Sequence, residues 1–456
     1  ENGNDIQAVA ISGRPYPGDQ LPSTRVVEGL DYASPEDAID PQVLAKRLKE
    51  SAKDALGQSP DLWHIHNHSL GKNSAMPGVV ANLAEDGENL LLQMHDFAED
   101  GRPDNYRLNL ERPECAAYLY PDISSVHYGV INGRDYEILR QTGLDLKRLH
   151  LLANPVEAHH NEKDSDSSHI LETLGAERLI LYPVRAVRRK NFGELLLWSA
   201  LAEPGDVFAT TLGPTNKNYH VAYQRWQSFA QKNKLPVHFG IGETHDWPFE
   251  TIMQAAHAII STSIAEGFGL AFLEPWLYGK SIAGRDLPAI TADFKAEGIR
   301  LDCLYESLPI PTDWIDLDLL KADIALGLNE AYNAYQRPLP DDAVERAVAA
   351  ISPKPNHIDF AGLNEAQQET VLQRVLTDPS VKSRLPKFGE LSQPGCIREN
   401  ADCIAKTYSL RRYAEKMSQL YQCICSSHNT GATQYIDPSK VLEGFLQPER
   451  FRLLRT

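Results

Sequence analysis

The stretch STSIAEGFGLAFLEPWLYGK, residues 261–280, follows the run AHAIIST of residues 256–262. The run is short, apolar and rich in β-branched residues, so it reads as a buried strand. After Gly269 the segment LAFLEPWLY reads as a helix, ended by Gly279 and Lys280. Glu266 then sits on a strand-to-helix loop and Glu274 about one turn inside the helix. A helix mouth preceded by glycines suits an anion, because free N–H groups and the positive dipole end point outward. Gly267 and Gly269 would let the backbone approach a ligand closely. An acid in such a loop would repel a bare phosphate, but it fits a ligand that also carries hydroxyls, as a sugar does. Glu274 could accept hydrogen bonds from a ribose diol. The bland alternative is a chance pair of glutamates, Glu274 being a surface helix residue.

Outward from this point the chain alternates strands and helices. Runs 6–12, 61–67, 88–96 and 124–132 read as strands, with helices over 35–56, near 75–84 and from Arg134. The rhythm restarts with a strand over 177–184 and continues to 256–262. Such β-α-β alternation predicts parallel sheets covered by helices on both faces. The polar, aperiodic segment 153–169 reads as a linker. The tail is helical over 408–424 and 439–454. The fold class expected is α/β, with two doubly wound Rossmann-like domains facing a cleft. Ligands bind such sheets outside the carboxyl ends of the strands.

A length of 456 residues favours two domains. The net charge of −17 disfavours nucleic acid and anionic lipid as partners. No apolar run reaches the length of a membrane span, and the start shows neither the basic nor the apolar region of a signal peptide. Six scattered cysteines read as reduced thiols of a cytoplasmic protein. Cys423, Cys425 and His428 match no structural zinc spacing, so no metal is expected there.

Three further clusters stand at expected strand ends. YPVRAVRRKN, residues 182–191, places Arg185 and Lys190 across a turn with Arg188 and Arg189 between them. A planar bidentate cation beside a point charge suits a diphosphate whose charge grows as it departs. The alternative is a solvated basic run. HIHNHSLGKN, residues 64–73, alternates His64, His66 and His68, which on a strand share one face. Metal binding, the lining of a sugar site and structural histidines all remain open there. QMHDFAEDGRP, residues 93–103, ends the next strand with His95 and Asp96, followed by Arg102. Both clusters could face one pocket.

These motifs together resemble the retaining glycosyltransferases of the GT-B fold, family 4. Glu266 and Glu274 in E-G-F-G-L-x3-E match that family's E-x7-E signature. Arg185 and Lys190 look like its diphosphate-binding pair. LLANPVE, residues 151–157, looks like its interdomain junction, HIHN and MHDF like its acceptor-domain loops, and YSLRRYAEKM like its late helix. The resemblance covers nearly all of the chain from Ile6. The family normally opens with a strand and a Gly-Gly loop. Here either SGRPYPGD, residues 12–19, takes that place or the first β-α unit lies outside this chain.

The resemblance implies an acceptor-side domain over 1–157, a nucleotide-sugar domain over 158–429, and a segment 430–456 packing back on the first domain. It implies transfer of a hexose from a nucleotide diphosphate sugar to a small polar acceptor such as glycerate, a polyol phosphate or a sugar. Arg185, Lys190, Glu266 and His95 would be catalytic. Gly267, Phe268, Gly269, Leu270 and Glu274 would bind the donor. His66, Asn67, His68, Lys72, Asp96 and Arg102 would bind the acceptor. No cofactor and no metal is implied, the cations standing where a metal stands elsewhere. The partners expected are small molecules, with a homo-oligomer allowed and no integral membrane association. A nucleotide-sugar epimerase or hydrolase of the same fold, or a non-catalytic nucleotide-sugar binder, is the alternative.

Overall fold

The computed structural model describes residues 6–15, 24–157, 167–386, 393–426 and 433–455. His428 and most of the expected linker lie outside the described residues. The chain divides into two compact units. Unit 1 comprises Glu1–Asn154, Ala331–Pro338 and Leu410–Gln447, and unit 2 comprises Pro155–Glu330, Leu339–Ser409 and Pro448–Thr456.

Unit 1 is built on four parallel strands in chain order, Trp63–His66, Leu90–Met94, Val126–Val130 and Leu149–Leu151. The central run LLLQM is buried at every position, as expected of a parallel strand covered on both faces. The helix Pro41–Leu56 starts where Asp40 accepts from the N–H groups of Gln42 and Val43, and stops at Gly57 with φ 77°. Its residues Leu44, Ala45, Leu48 and Ala52 form the buried stripe. The expected first strand shrinks to Ala10–Ser12, which among the described residues pairs with Thr24–Val26 in a two-stranded sheet apart from the main one.

The helix Leu410–Cys425 belongs to unit 1, so the chain returns earlier than the expected 430. Its apolar stripe of Met417, Leu420 and Ile424 packs on Leu91 and Leu152. Its tyrosines Tyr413 and Tyr421 reach Gln93 and His64 on the same sheet. Residues 448–456 rejoin unit 2 instead of ending on unit 1. An amphipathic pattern shows that a stripe is buried, not which domain buries it.

Unit 2 carries six parallel strands: Arg178–Arg185, Asp206–Leu212, Val237–His238, Ala258–Ser261, Ser281–Arg285 and Leu304–Tyr305. Numbered along the chain from one to six, their order across the sheet is 3-2-1-4-5-6. That order reverses between Arg178–Arg185 and Ala258–Ser261, which pair through Ile180 and Leu181. The reversal opens a crevice at the carboxyl ends of these two strands. Behind it the helix Phe192–Ala200 is buried on all sides. Its Glu194 is held by Arg285 at 2.6 Å, and Arg285 also pairs with Asp359 at 2.7 Å. This buried triad tethers the helix and the strand Ser281–Arg285 to the segment around Asp359. No helix among the described residues is long and apolar enough to cross a membrane.

Candidate active site

The reversal point of unit 2 carries a hollow of about 470 Å³. It lies within the roughly 300–1,000 Å³ usual for small-molecule sites. Its wall comes from the two segments singled out in the sequence: Arg185, Arg189 and Lys190 after one strand, and Glu266, Phe268, Gly269, Leu270 and Glu274 after the other. The turn Arg188–Lys190 is laced to the second segment. The Lys190 carbonyl accepts from the hydroxyls of Tyr182 at 3.2 Å and Thr262 at 2.9 Å, and Ile264 N–H donates to the Arg189 carbonyl at 2.9 Å. Asn191, with φ 51°, reverses the chain into the buried helix.

The four cations of the run have separate fates. Arg185 is exposed at its strand end and makes no ion pair among the described residues. Arg188 turns away and grips Glu365 at 2.8 and 3.0 Å. Arg189 donates to the Ala265 carbonyl at 2.6 Å and pairs with Glu266 at 2.9 Å. Lys190 pairs with the other oxygen of Glu266. Burial alone would raise the Glu266 carboxyl, but the charges of Lys190 and Arg189 outweigh it and hold the group below its ordinary range. Burial, with Arg189 beside it, lowers Lys190, against the pull of Glu266. The close contact with an ionised Glu266 keeps the ammonium charged. Arg189 is thus a pocket residue that the sequence placed only between the two chosen cations.

The expected helix mouth differs. The chain makes a 3-10 turn over Leu270–Phe272 and then one α-turn over Glu274–Leu277, with Glu274 as its first residue. Pro275 explains this: it has no N–H to give to the carbonyl four residues back, so it is tolerated only in the first turn of a helix, where it sits here. So short a helix has little dipole, and the anion-attracting charge of this pocket resides in the side chains. Gly269 has φ 91°, and a Cβ there would meet Ile290 at 2.8 Å. Gly267 has nothing within 4 Å of such a Cβ. Phe268 is 6% exposed and packs edge-on to Phe294 and Tyr408, so its ring serves the core.

In unit 1 the two histidine loops meet. His66 Nδ1 lies 3.0 Å from His95 Nε2, the rings stacked at 5.2 Å. Asn67 adopts φ 52° and its Oδ1 accepts from the N–H groups of His95 at 2.7 Å and Asp96 at 3.2 Å. That left-handed turn ends the strand, so His68 does not share the face of His64 and His66. It is buried instead, its Nε2 donating to the Leu119 carbonyl at 2.7 Å. Asp96 and Arg102 pair at 2.6 Å. Lys72 is exposed, its ammonium 5.4 Å from the centre of the Tyr32 ring. Desolvation, then the neighbouring His64 and His95 rings, push His66 down to about 4, although its outer edge is open to water. Burial pushes His64 to the same value and lowers His95. These rings are therefore neutral at neutral pH. The same sheet carries a further stacked pair, His127 and His150, 2.9 Å apart at the ring nitrogens, which no motif signalled. Among the described residues no group of three or more His, Cys, Asp or Glu side chains is arranged to hold a metal ion.

No family model matches the chain. A curated relative, mannosylglucosyl-3-phosphoglycerate synthase of Petrotoga mobilis, is 30% identical over 264 residues. That alignment takes in 54% of this chain, which spans about half (51%) of the relative's length. Among solved structures, Anabaena HepE in complex with UDP and glucose aligns with TM-score 0.49 and 12% identity, covering 88% of this chain and 86% of that one. Sucrose-phosphate synthase of Thermosynechococcus elongatus aligns with TM-score 0.48 and 14% identity, covering 91% and 88%. A glycosyltransferase of Rickettsia africae aligns with TM-score 0.48 and 12% identity, covering 92% and 90%.

Proposed function

We propose that this protein is a retaining GT-B glycosyltransferase that moves a hexose from a nucleotide diphosphate sugar to a small polar acceptor. The observation that carries the reading is the unit 2 hollow, where three cations and two acids stand at the reversal point of a 3-2-1-4-5-6 sheet. The name of the Petrotoga relative, a synthase of a glycosylated phosphoglycerate, supports both the reaction class and an anionic acceptor.

In this reading Glu274 accepts hydrogen bonds from the ribose. Arg185, Arg189 and Lys190 take the diphosphate and stabilise the charge that develops on it as it leaves, which is work a metal ion does elsewhere. Without ligand, Arg189 and Lys190 neutralise Glu266. An arriving diphosphate competes for those cations and frees the carboxylate to hold sugar hydroxyls. The backbone from Gly267 to Leu270 lies against the sugar and phosphate. The acceptor attacks the face that the diphosphate leaves, with the departing phosphate taking its proton. On the acceptor side, His66, Asn67, Lys72, Asp96 and Arg102 form the polar rim and neutral His95 offers a ring nitrogen to a sugar hydroxyl.

The test is a thermal-shift panel of UDP-, GDP- and ADP-sugars, since a ligand bound only by the folded state raises the melting temperature. One nucleotide sugar should give a shift that Arg185→Ala removes. Equal melting with every sugar, in the original protein and the variant alike, would sink the proposal. Anomeric configuration of the isolated product then decides retention.

A further inference from the structure

Unspent hydrogen-bond donors gather in unit 1 around an exposed ring. Tyr32 is 68% exposed, and two cations stand against it: the Arg14 guanidinium carbon 5.2 Å from the ring centre and the Lys72 ammonium 5.4 Å from it. Asp31 holds Arg14 by its inner nitrogen, Nε donating to the two carboxylate oxygens at 2.7 and 2.6 Å. Among the described residues, the outer Nη1 and Nη2 groups of Arg14 and the Lys72 ammonium have neither a hydrogen-bond partner nor an ion pair.

The side chains are open to water, but the backbone beneath them is fixed. Ser12 Oγ donates to the Arg14 carbonyl at 2.6 Å, and a Cβ on Gly13 would meet the Asp31 nitrogen at 2.2 Å, so glycine lets these two segments lie together. Tyr32 N–H donates to Asp31 Oδ1 at 2.7 Å. Buried Asn73 donates to the carbonyls of Gly29 at 2.8 Å and Asp31 at 2.6 Å. Ala33 N–H donates to the Lys72 carbonyl at 2.9 Å, and Ser74 N–H to the Ala33 carbonyl at 3.2 Å. Gly71, with φ 71°, packs so closely that a Cβ there would meet the Asn105 carbonyl oxygen at 2.1 Å. The loop carrying Lys72 leaves the carboxyl end of the strand Trp63–His66, which is the end where parallel sheets bind ligands.

Two cations against one ring repel each other, and Asp31 balances only Arg14. In a chain of net charge −17, this local excess of positive charge suits an anion from outside. Asp31 and the ring hold the guanidinium in one orientation with its outer fork unspent. That fork fits a carboxylate or phosphate through two parallel hydrogen bonds, and Lys72 adds a point charge. Because the three side chains are exposed, their charges cost little to keep without the ligand. We propose that Arg14, Tyr32 and Lys72 seat the anionic group of the acceptor, which is then a small carboxylate or phosphate ester and not a neutral sugar or polyol. Arg14 and Tyr32 lie outside every motif of the sequence. The inference rests on the acceptor reading above and narrows it to one chemical class.

The experiment titrates the full chain calorimetrically with glycerol 3-phosphate, D-glycerate and glycerol, alone and beside each UDP-, GDP- and ADP-sugar. At least one of the two anions should bind, the stronger one telling phosphate from carboxylate, and glycerol should not. Arg14→Gln and Lys72→Gln should each weaken that binding about tenfold or more, the scale of losing a charge-assisted hydrogen bond. Arg14→Lys should not restore it, because the fork is lost. Tyr32→Ala should weaken it several-fold, whereas Tyr32→Phe, which keeps the ring, should not. These exposed substitutions should leave the melting temperature and its shift with the nucleotide sugar unchanged. Neither anion bound, glycerol bound as tightly as the anions, or anion binding that survives both Gln variants would overturn the proposal. If no nucleotide sugar shifts the melting while an anion still binds through Arg14 and Lys72, the transferase reading fails and the anion seat stands.

Discussion

The two candidate ligand surfaces handle charge in opposite ways. In unit 2 the pocket keeps its ions: Arg185, Arg189, Lys190, Glu266 and Glu274 line one hollow, and burial is offset by pairing. In unit 1 the sheet carries polar rings stripped of charge, with His64, His66, His127 and His150 all pushed down to about 4. On the proposed reading the diphosphate meets ions held ready, and hydroxyl groups meet neutral rings beside the Asp96–Arg102 pair. The cost of burying a group decides which of the two a site can keep, because an ion is kept only beside its counter-ion.

The sharpest way to break this contrast is to remove the ions. Arg185→Ala and Lys190→Ala should each lower turnover by about 10²-fold or more, the scale of losing one donor to a developing anion. Lys190→Ala should also cost roughly 3 kcal/mol of stability, because it strips a buried carboxylate of a partner, whereas exposed Arg185 should cost little. Single-turnover kinetics and denaturant melts separate the two. Equal stability losses would mean that the Lys190–Glu266 pair is not what holds Glu266 ionised.

Acid should next distinguish the units. A histidine whose folded pKa is about 4 binds its proton in the unfolded chain first, below 6.5. The stability owed to neutral rings is therefore complete above 6.5 and falls as pH drops toward 4. Glu266 is depressed, so its contribution is present above the ordinary 4.5 and is lost at still lower pH. Unit 1 should loosen first on acidification. Trp63 is the single tryptophan of unit 1, so its emission reports that unit in a chain stripped of the other five. Loss of order in unit 2 before Trp63 responds would reverse the assignment.

Glu274→Ala should weaken the nucleotide sugar about tenfold, with turnover at saturation little changed, as when one hydrogen bond worth about 1.5 kcal/mol is lost. Calorimetric titration checks it. The smallest effect is expected at Gly267. Gly267→Ala should alter stability by less than about 0.5 kcal/mol, since a Cβ there meets nothing within 4 Å. Gly269→Ala should cost about 1–3 kcal/mol for its left-handed backbone. If Gly267→Ala nonetheless abolishes donor binding, a ligand approaches that backbone directly.

Much of the plan was legible in the chain. Apolar runs such as LLLQM and AIIS read as strands, and their alternation with helices called for parallel sheets covered on both faces. Arg185, Lys190, Glu266 and Glu274 follow two such runs, and strand ends are where these sheets bind ligands. Local chemistry suffices there, since burial pattern and turn residues act over a few positions. The chain alone did not disclose that Arg188 is spent on Glu365, that Arg189 joins the pocket, or that Pro275 breaks the expected helix into two turns. Nor did it show that Asn67 turns His68 into the interior, or which unit buries the helix Leu410–Cys425. Each of these depends on a partner far away in sequence or on a strand order that no local pattern encodes. Tertiary structure decides them because the energy of a charge or an apolar stripe is set by what finally lies against it.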